Sequence, residues 1–344
     1  MGIVFLITLQ GSLSHHPAKA PGRSHPTLTF SPPPSWDDLK YLFIFGDSYT
    51  DTGFRLSNGL PSLHSNPMGN PAFPGVTSSS YTNWVGYLTT EFNRSAVLTY
   101  DFAVGGATVN DNPVIYLPPN AGVWQNTIRT QIEDEFLPAV SRGIIPKGGV
   151  EDGFDDGVGG WTSDNSLFVI WIGINDVNRS YWDKRGKDMV NLHEKILEDY
   201  MELVGKLHKA GARRFIFIDV PPVDRSPGTV FAGPERVIRE GGALRSFNNR
   251  LSRTIPKNTV FFKSSDIFND MMDHPDEYGL KNVERWCRGY LGRMVPSEDY
   301  EDESCGGVKF KEFFWVDGLH PTSTPHKEVA KKLAEFLDGQ PTQE

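Results

Sequence analysis

Three short runs of nearly unbroken apolar residues, each halted by glycine or proline, constrain this chain more than any other feature. Residues 39–45 end at Gly46, residues 168–172 at Gly173, and residues 215–218 just before Pro221 and Pro222. A strand that is apolar on both faces must be covered on both faces, which is the condition of a parallel sheet with helices above and below it. Residues 97–104 and 260–262 add two more strand-like stretches. Between the second and third apolar runs, Leu192, Ile196, Leu197, Tyr200, Leu203, Val204 and Leu207 recur at helical spacing, and Gly211 closes the pattern. Val329, Leu333 and Phe336 mark a closing helix. The alternation predicts one doubly wound α/β domain over residues 36–340, with a mostly parallel central sheet and helices on both faces.

Composition excludes several functions. The net charge of -9 repels phosphate backbones and anionic membranes, so nucleic acid is not an expected partner. No apolar run reaches the roughly 18 residues of a membrane span. Residues 1–20 read as a secretory signal, with an apolar run from Ile3 to Leu9 and small residues Ala18 and Ala20, although no Lys or Arg precedes that run. The Pro-rich residues 21–35 are expected to be unstructured. Only two cysteines occur, Cys287 and Cys305, bracketing an acidic segment that burial alone is not expected to hold folded. They are read as a disulfide, the alternative being two reduced thiols in a cytosolic chain. Asn93 and Asn178 head glycosylation sequons. Together these features predict a secreted, extracellular monomer.

Residues 142–164 carry seven glycines and the carboxylates Glu151, Asp152, Asp155 and Asp156. Their spacing misses the alternating ligand positions of a calcium loop, so the segment is expected to run over the surface, where it could cover a site as a lid. No other metal-ligand spacing and no nucleotide-binding glycine motif occurs, and no cofactor or metal is expected.

Ligand crevices in open α/β sheets form at the carboxyl ends of the strands. There the sequence places Gly46-Asp47-Ser48, Gly105-Gly106, Gly173-Ile174-Asn175-Asp176 and, after an expected strand over residues 313–316, Asp317-Gly318-Leu319-His320. Each motif alone is a common cap or turn. Jointly they supply a hydroxyl nucleophile, backbone amides, an amide side chain and a carboxylate–histidine pair, the parts of an acyl-transfer site.

These blocks resemble the serine hydrolases named for a Gly-Asp-Ser-Leu motif and for their Ser, Gly, Asn and His residues. FIFGDSYTDTG, DFAVGGATV, WIGINDV and VDGLHPT match the family's blocks in order, with Tyr49 in place of leucine. The run NPAFPGVTSSSYTNWVGYL is most similar to fungal acetylesterases of carbohydrate esterase family 16. The resemblance implies a flavodoxin-like three-layer sandwich, Ser48 as nucleophile, His320 as base and Asp317 as its orienting group. It assigns the oxyanion hole to the amides of Ser48 and Gly106 and the side chain of Asn175, Gly106 being chosen over Gly105 for its place before Ala107-Thr108. Asp47, Tyr81, Trp84, Trp124 and Tyr116 are candidate substrate contacts, the aromatics by stacking on sugar faces. The expected activity is hydrolysis of short acyl esters, acetyl above all, on a small-molecule or oligosaccharide substrate through a covalent acyl-enzyme. A lipase or phospholipase on the same fold and a non-catalytic carbohydrate-binding protein are the alternatives. The G-x-S-x-G elbow of α/β-hydrolases is absent.

Overall fold

The computed structural model describes residues 28–111, 126–148, 159–184 and 186–340. The signal-like residues 1–20 and the candidates Tyr116 and Trp124 lie outside them. The apolar runs form strands β1 (Tyr41–Gly46), β3 (Ser166–Trp171) and β4 (Phe215–Ile218), joined by β2 (Leu98–Asp101) and β5 (Val260–Phe262). All pairs are parallel, in the order β2-β1-β3-β4-β5, with Tyr41 beside both Leu98 and Ser166. Every residue of the first four strands is buried; β1, β3 and β4 are apolar on both faces as this requires, while in β2 Thr99 is hydrogen-bonded to Thr89 and Asp101 accepts from Thr52.

The helices are α1 (Trp84–Thr90), α2 (Ile128–Thr130) running through a π turn into α3 (Leu137–Ser141), α4 (Ile174–Ser180), α5 (Gly186–Ala210), α6 (Pro227–Phe231), α7 (Pro234–Thr254), α8 (Ser264–Asp273) and α9 (Ser323–Asp338). Helix α9 packs on α1 and α8, while α5 packs on α7. Right-handed crossovers place these two groups on opposite faces of the sheet. The chain leaves β1 for β2 on one side and returns to β3 on the other, so a crevice opens where the carboxyl ends of β1 and β3 diverge.

Several expectations need correction. Residues 28–35 are not loose: Phe30 is buried against Phe215 and His208, and Ser31 N–H donates to Arg213 at 2.9 Å. One aromatic anchor offsets the Pro-rich composition there. The described ends of the Gly-rich segment are no lid. Trp161 is fully buried against Phe43 and Phe168, and Asn165 accepts from the amides of Lys40 and Tyr41 at the amino-terminal edge of the sheet, opposite the crevice. Residues 313–316 form no regular strand, pairing only at single positions with Asn282 and Pro321.

The acidic run 297–304 between the cysteines buries none of its residues, as expected, and is held from its flanks. Tyr290, Val295, Phe310, Phe313 and Val316 make a second small core with Cys287 and Cys305, which are bonded to one another. Closing a separation of 18 residues contributes roughly 3 kcal/mol on the chain-entropy account.

Candidate active site

Ser48 lies in the tight turn that follows β1. Asp47 C=O accepts from Thr50 and Asp51 amides, both at 2.9 Å, so the chain reverses at once and leaves Ser48 at the rim. The loop 314–322 meets it there, closed on itself by Val316 N–H to His320 C=O and Thr322 N–H to Phe314 C=O. Within that loop Asp317 Oδ1 accepts from the amides of Leu319 and His320, at 2.7 and 2.6 Å, which fixes the carboxylate three residues before the imidazole. Asp317 Oδ2 then stands 2.8 Å from His320 Nδ1, and His320 Nε2 stands 2.8 Å from Ser48 Oγ. With a carboxylate on one side, Nδ1 carries the proton and Nε2 is left to accept from the Ser48 hydroxyl. Burial works to raise the Asp317 carboxyl, but the hydrogen bonds and charge of His320 outweigh it and hold the group below its usual range. It therefore stays ionised at any pH where the imidazole can act as a base.

Tyr49 ties the two loops together. Its ring lies 5.9 Å from that of His320, and its buried hydroxyl donates to Leu319 C=O at 2.6 Å. In the sequence Tyr49 is visible only as a departure from leucine; the tie to Leu319 belongs to the fold.

The oxyanion-hole candidates sit on the same rim. Gly105 N–H donates to Asp51 Oδ2 at 2.8 Å and Ala107 N–H to Val104 C=O at 3.1 Å, so both are engaged. The intervening Gly106 has φ +78, a conformation that favours glycine, and Arg179 Nη2 holds its carbonyl at 2.9 Å. This geometry favours Gly106 over Gly105 as the donor. Asn175 opens α4 behind Gly173, whose φ of +120 and close approach to Phe247 leave no room for a Cβ. Asn175 Nδ2 donates to Ala107 C=O at 2.9 Å, with its second N–H available. The Ser48 amide, one residue into the turn, completes the set.

Other candidates fare differently. Asp47 is buried and turned inward, where its Oδ1 accepts from Tyr49 N–H at 3.0 Å; it braces the turn and cannot touch a substrate. Trp84 is fully buried, its Nε1 donating to Thr50 and its ring set against Trp171, because α1 turns it toward the sheet. Tyr81 is half-buried and packs on the disulfide-linked core. Asn178 Nδ2 donates to buried Glu240 at 2.8 Å and its side chain lines a cleft beside His320, so a glycan there would fill that cleft. Asn93 lies in the turn after α1, half-buried, with Nδ2 on Ser95 C=O.

Two clefts meet at Asp317 and His320. One, of about 450 Å³, is lined by Asn178, Ser226, Thr229 and Arg236. The other, of about 310 Å³, runs past Thr77, Ser80, Leu291, Arg293 and Met294. Among the described residues no group of three or more His, Cys, Asp or Glu side chains is placed to hold a metal ion, and no helix is long and apolar enough to cross a membrane.

This arrangement, a Ser–His–Asp relay on the carboxyl rim of a 2-1-3-4-5 parallel sheet, is that of a serine hydrolase. Residues 42–333 match the family described as GDSL-like Lipase/Acylhydrolase, and the chain belongs to it. It is 33% identical over 311 residues to an acetylesterase of Thermothelomyces thermophilus, covering 87% of this chain and 89% of that protein. An acetylesterase of Hypocrea jecorina is 29% identical over 346 residues, covering 89% and 91%. A solved catalytic mutant of an acetylxylan esterase from Geobacillus stearothermophilus aligns at TM-score 0.44 and 14% identity over 89% of this chain and 97% of that one, too loosely to support an inference. The protein is thus a carboxylic ester hydrolase.

The buried acids give the fold a pH dependence. Burial pushes Asp47 up to about 8, Asp176 and Glu240 to about 7 and Asp219 to about 6, while it pushes His193 down to about 4 and His326 to about 3. A carboxyl raised in the fold holds its proton more tightly than in the unfolded chain, so its contribution is lost as pH climbs through the folded value. The lowered imidazoles act oppositely, costing stability only as pH falls below about 6.5. Above that point the carboxyls alone remain. Tm is therefore expected to fall by several degrees between about pH 6.5 and 8.5, and Asp47→Asn to flatten the decline. Thermal melts across that interval check this; a Tm that rises would contradict it.

Proposed function

We propose that this protein is a secreted esterase that removes short acyl groups, acetyl foremost, from carbohydrates through an acyl-enzyme on Ser48. The observation that carries the proposal is the unbroken hydrogen-bonded relay from Asp317 through His320 to Ser48 at the junction of two open clefts. A serine hydroxyl is too weak an acid to attack an ester unaided. Its proton passes to His320 Nε2 as Oγ bonds to the acyl carbon, and the carbonyl oxygen takes up the electron pair. The amides of Ser48 and Gly106 and the Asn175 side chain receive that oxyanion without reorganising. Collapse breaks the bond between the acyl carbon and the sugar oxygen, which takes the proton from His320 Nε2 and leaves as a hydroxyl. Water then repeats the sequence on the acyl-enzyme, releasing the acid and restoring Ser48.

The two fungal relatives named acetylesterase support the acyl preference, and the polar lining of the larger cleft suits a sugar. The disulfide supports export, since such bonds persist in oxidising compartments. Chain length separates this reading from a lipase. A lipase pocket gains about 0.8 kcal/mol for each methylene it buries. Here kcat/KM is expected to fall from acetyl to propionyl to butyryl esters of one leaving group. A rise toward octanoyl esters would replace the acetylesterase reading with the lipase one.

A further inference from the structure

We propose that Arg236 binds a carboxylate on the alcohol portion of the substrate, so that the preferred esters are acetylated oligosaccharides carrying a uronic acid residue. The proposal rests on the carbohydrate-esterase reading above and deepens it. Arg236 stands in the first turn of α7, half-buried, and lines the larger cleft together with His320. Its guanidinium lies 4.3 Å over the ring of Trp182, and its Nη1 donates to the Tyr181 hydroxyl at 3.1 Å. Stacking and one hydrogen bond hold the plane in place while most of its N–H groups stay available, which is how an arginine is prepared for a planar anion.

The neighbouring arginines show what is unusual. Arg239, stacked 4.2 Å from the same Trp182 ring, is ion-paired with Glu235. Arg293, in the smaller cleft, is paired with Asp302. Among the described residues no carboxylate lies within ion-pair distance of Arg236. Asp317, which faces the same cleft, is committed to His320. Glu240, one turn further along α7, is buried, accepts from Thr229 at 2.5 Å and from Asn178 at 2.8 Å, and is pushed by burial up to about 7, so it neutralises Arg236 only in part. A half-buried, oriented guanidinium with no carboxylate at ion-pair distance favours an incoming anion.

The anion is a single carboxylate because the cleft offers one unpaired cation among its described residues, where a dianionic phosphate would call for more. Its carrier is the alcohol portion because an acetyl group has no carboxylate to offer, and His320, the group that gives a proton to the departing alcohol, borders this cleft. Attraction must be local, since the chain as a whole carries a charge of -9.

The test compares an acetylated oligosaccharide containing one glucuronic acid with the same compound after reduction of that carboxylate to the alcohol. The wild-type protein is expected to favour the acidic member about tenfold in kcat/KM, through KM, with the preference shrinking as salt is added. Arg236→Ala and Arg236→Gln are expected to bring the ratio near unity, and Arg236→Lys to retain part of it. Because each variant is read as its own ratio, a general loss of activity does not mimic the result. Equal rates on the two compounds in the wild-type protein, or a preference that survives in Arg236→Ala, would overturn the proposal. Cleavage of 4-nitrophenyl acetate with neither oligosaccharide deacetylated would overturn the carbohydrate reading and this inference together, while leaving the esterase in place.

Discussion

Replacing Ser48 by alanine is expected to leave a folded protein with less than about one per cent of wild-type turnover on 4-nitrophenyl acetate. The substitution removes one oxygen from a nearly buried site, so little packing is lost and the effect falls on kcat. His320→Ala is expected to match it, and the double variant to be no worse than either, because a hydroxyl without its base and a base without its hydroxyl are equally idle. Stopped assays with circular dichroism on all three proteins check this. Wild-type-like turnover in folded Ser48→Ala would move the chemistry away from the Asp317–His320–Ser48 relay altogether.

Asn175→Ala is expected to cost roughly 10² to 10³ in kcat with KM little changed, the effect of removing one donor that acts on the developing oxyanion. Its other bond, to Ala107 C=O, braces the loop that carries Gly106, so part of the loss is geometric. The two contributions separate with a transition-state analogue. A boronic acid, which forms the tetrahedral adduct without the acyl oxygen's full charge, should lose less affinity than kcat loses in rate. A variant that changes KM alone would remove Asn175 from the oxyanion hole.

Strands β1, β3 and β4 are legible in the sequence because a segment buried on both faces must be largely apolar, and residues 215–218 coincide with β4; residues 260–262, only half-buried, coincide with β5. Helix α5 is legible through its large apolar stripe. Helix α7 is less plain: Leu244, Phe247 and Leu251 keep helical spacing, but the stripe is short, Gly241 and Ala243 fill the rest of the buried face, and charged residues cover the remainder of the helix. The rim was readable from where apolar runs stop, which is how Ser48, Asn175, Asp317 and His320 come into view. Direction was not: nothing in the sequence says that Asp47 and Trp84 point inward, or that the Asn178 amide is engaged by a glutamate 62 residues away. Arg236 is silent in the sequence for the same reason. Its meaning lies in the missing counter-ion, and pairing is a property of three dimensions.

The small core around the Cys287–Cys305 bond has a consequence for how this enzyme can change. That core packs its own aromatics, reaches the rim at Val316, and is joined to the residue 77–81 loop by Val295 N–H to Ser80 C=O and by the Ser80 hydroxyl to Tyr290 C=O. It presents residues 291–294 as one wall of the smaller cleft without drawing on the sheet for support. The wall is therefore a cassette. Exchanges at Leu291, Arg293 or Met294 alter what the cleft admits while the β1–β3 crevice, and the relay seated in it, keep their dimensions. Substrate preference on that side can drift, or be engineered, at little cost to folding.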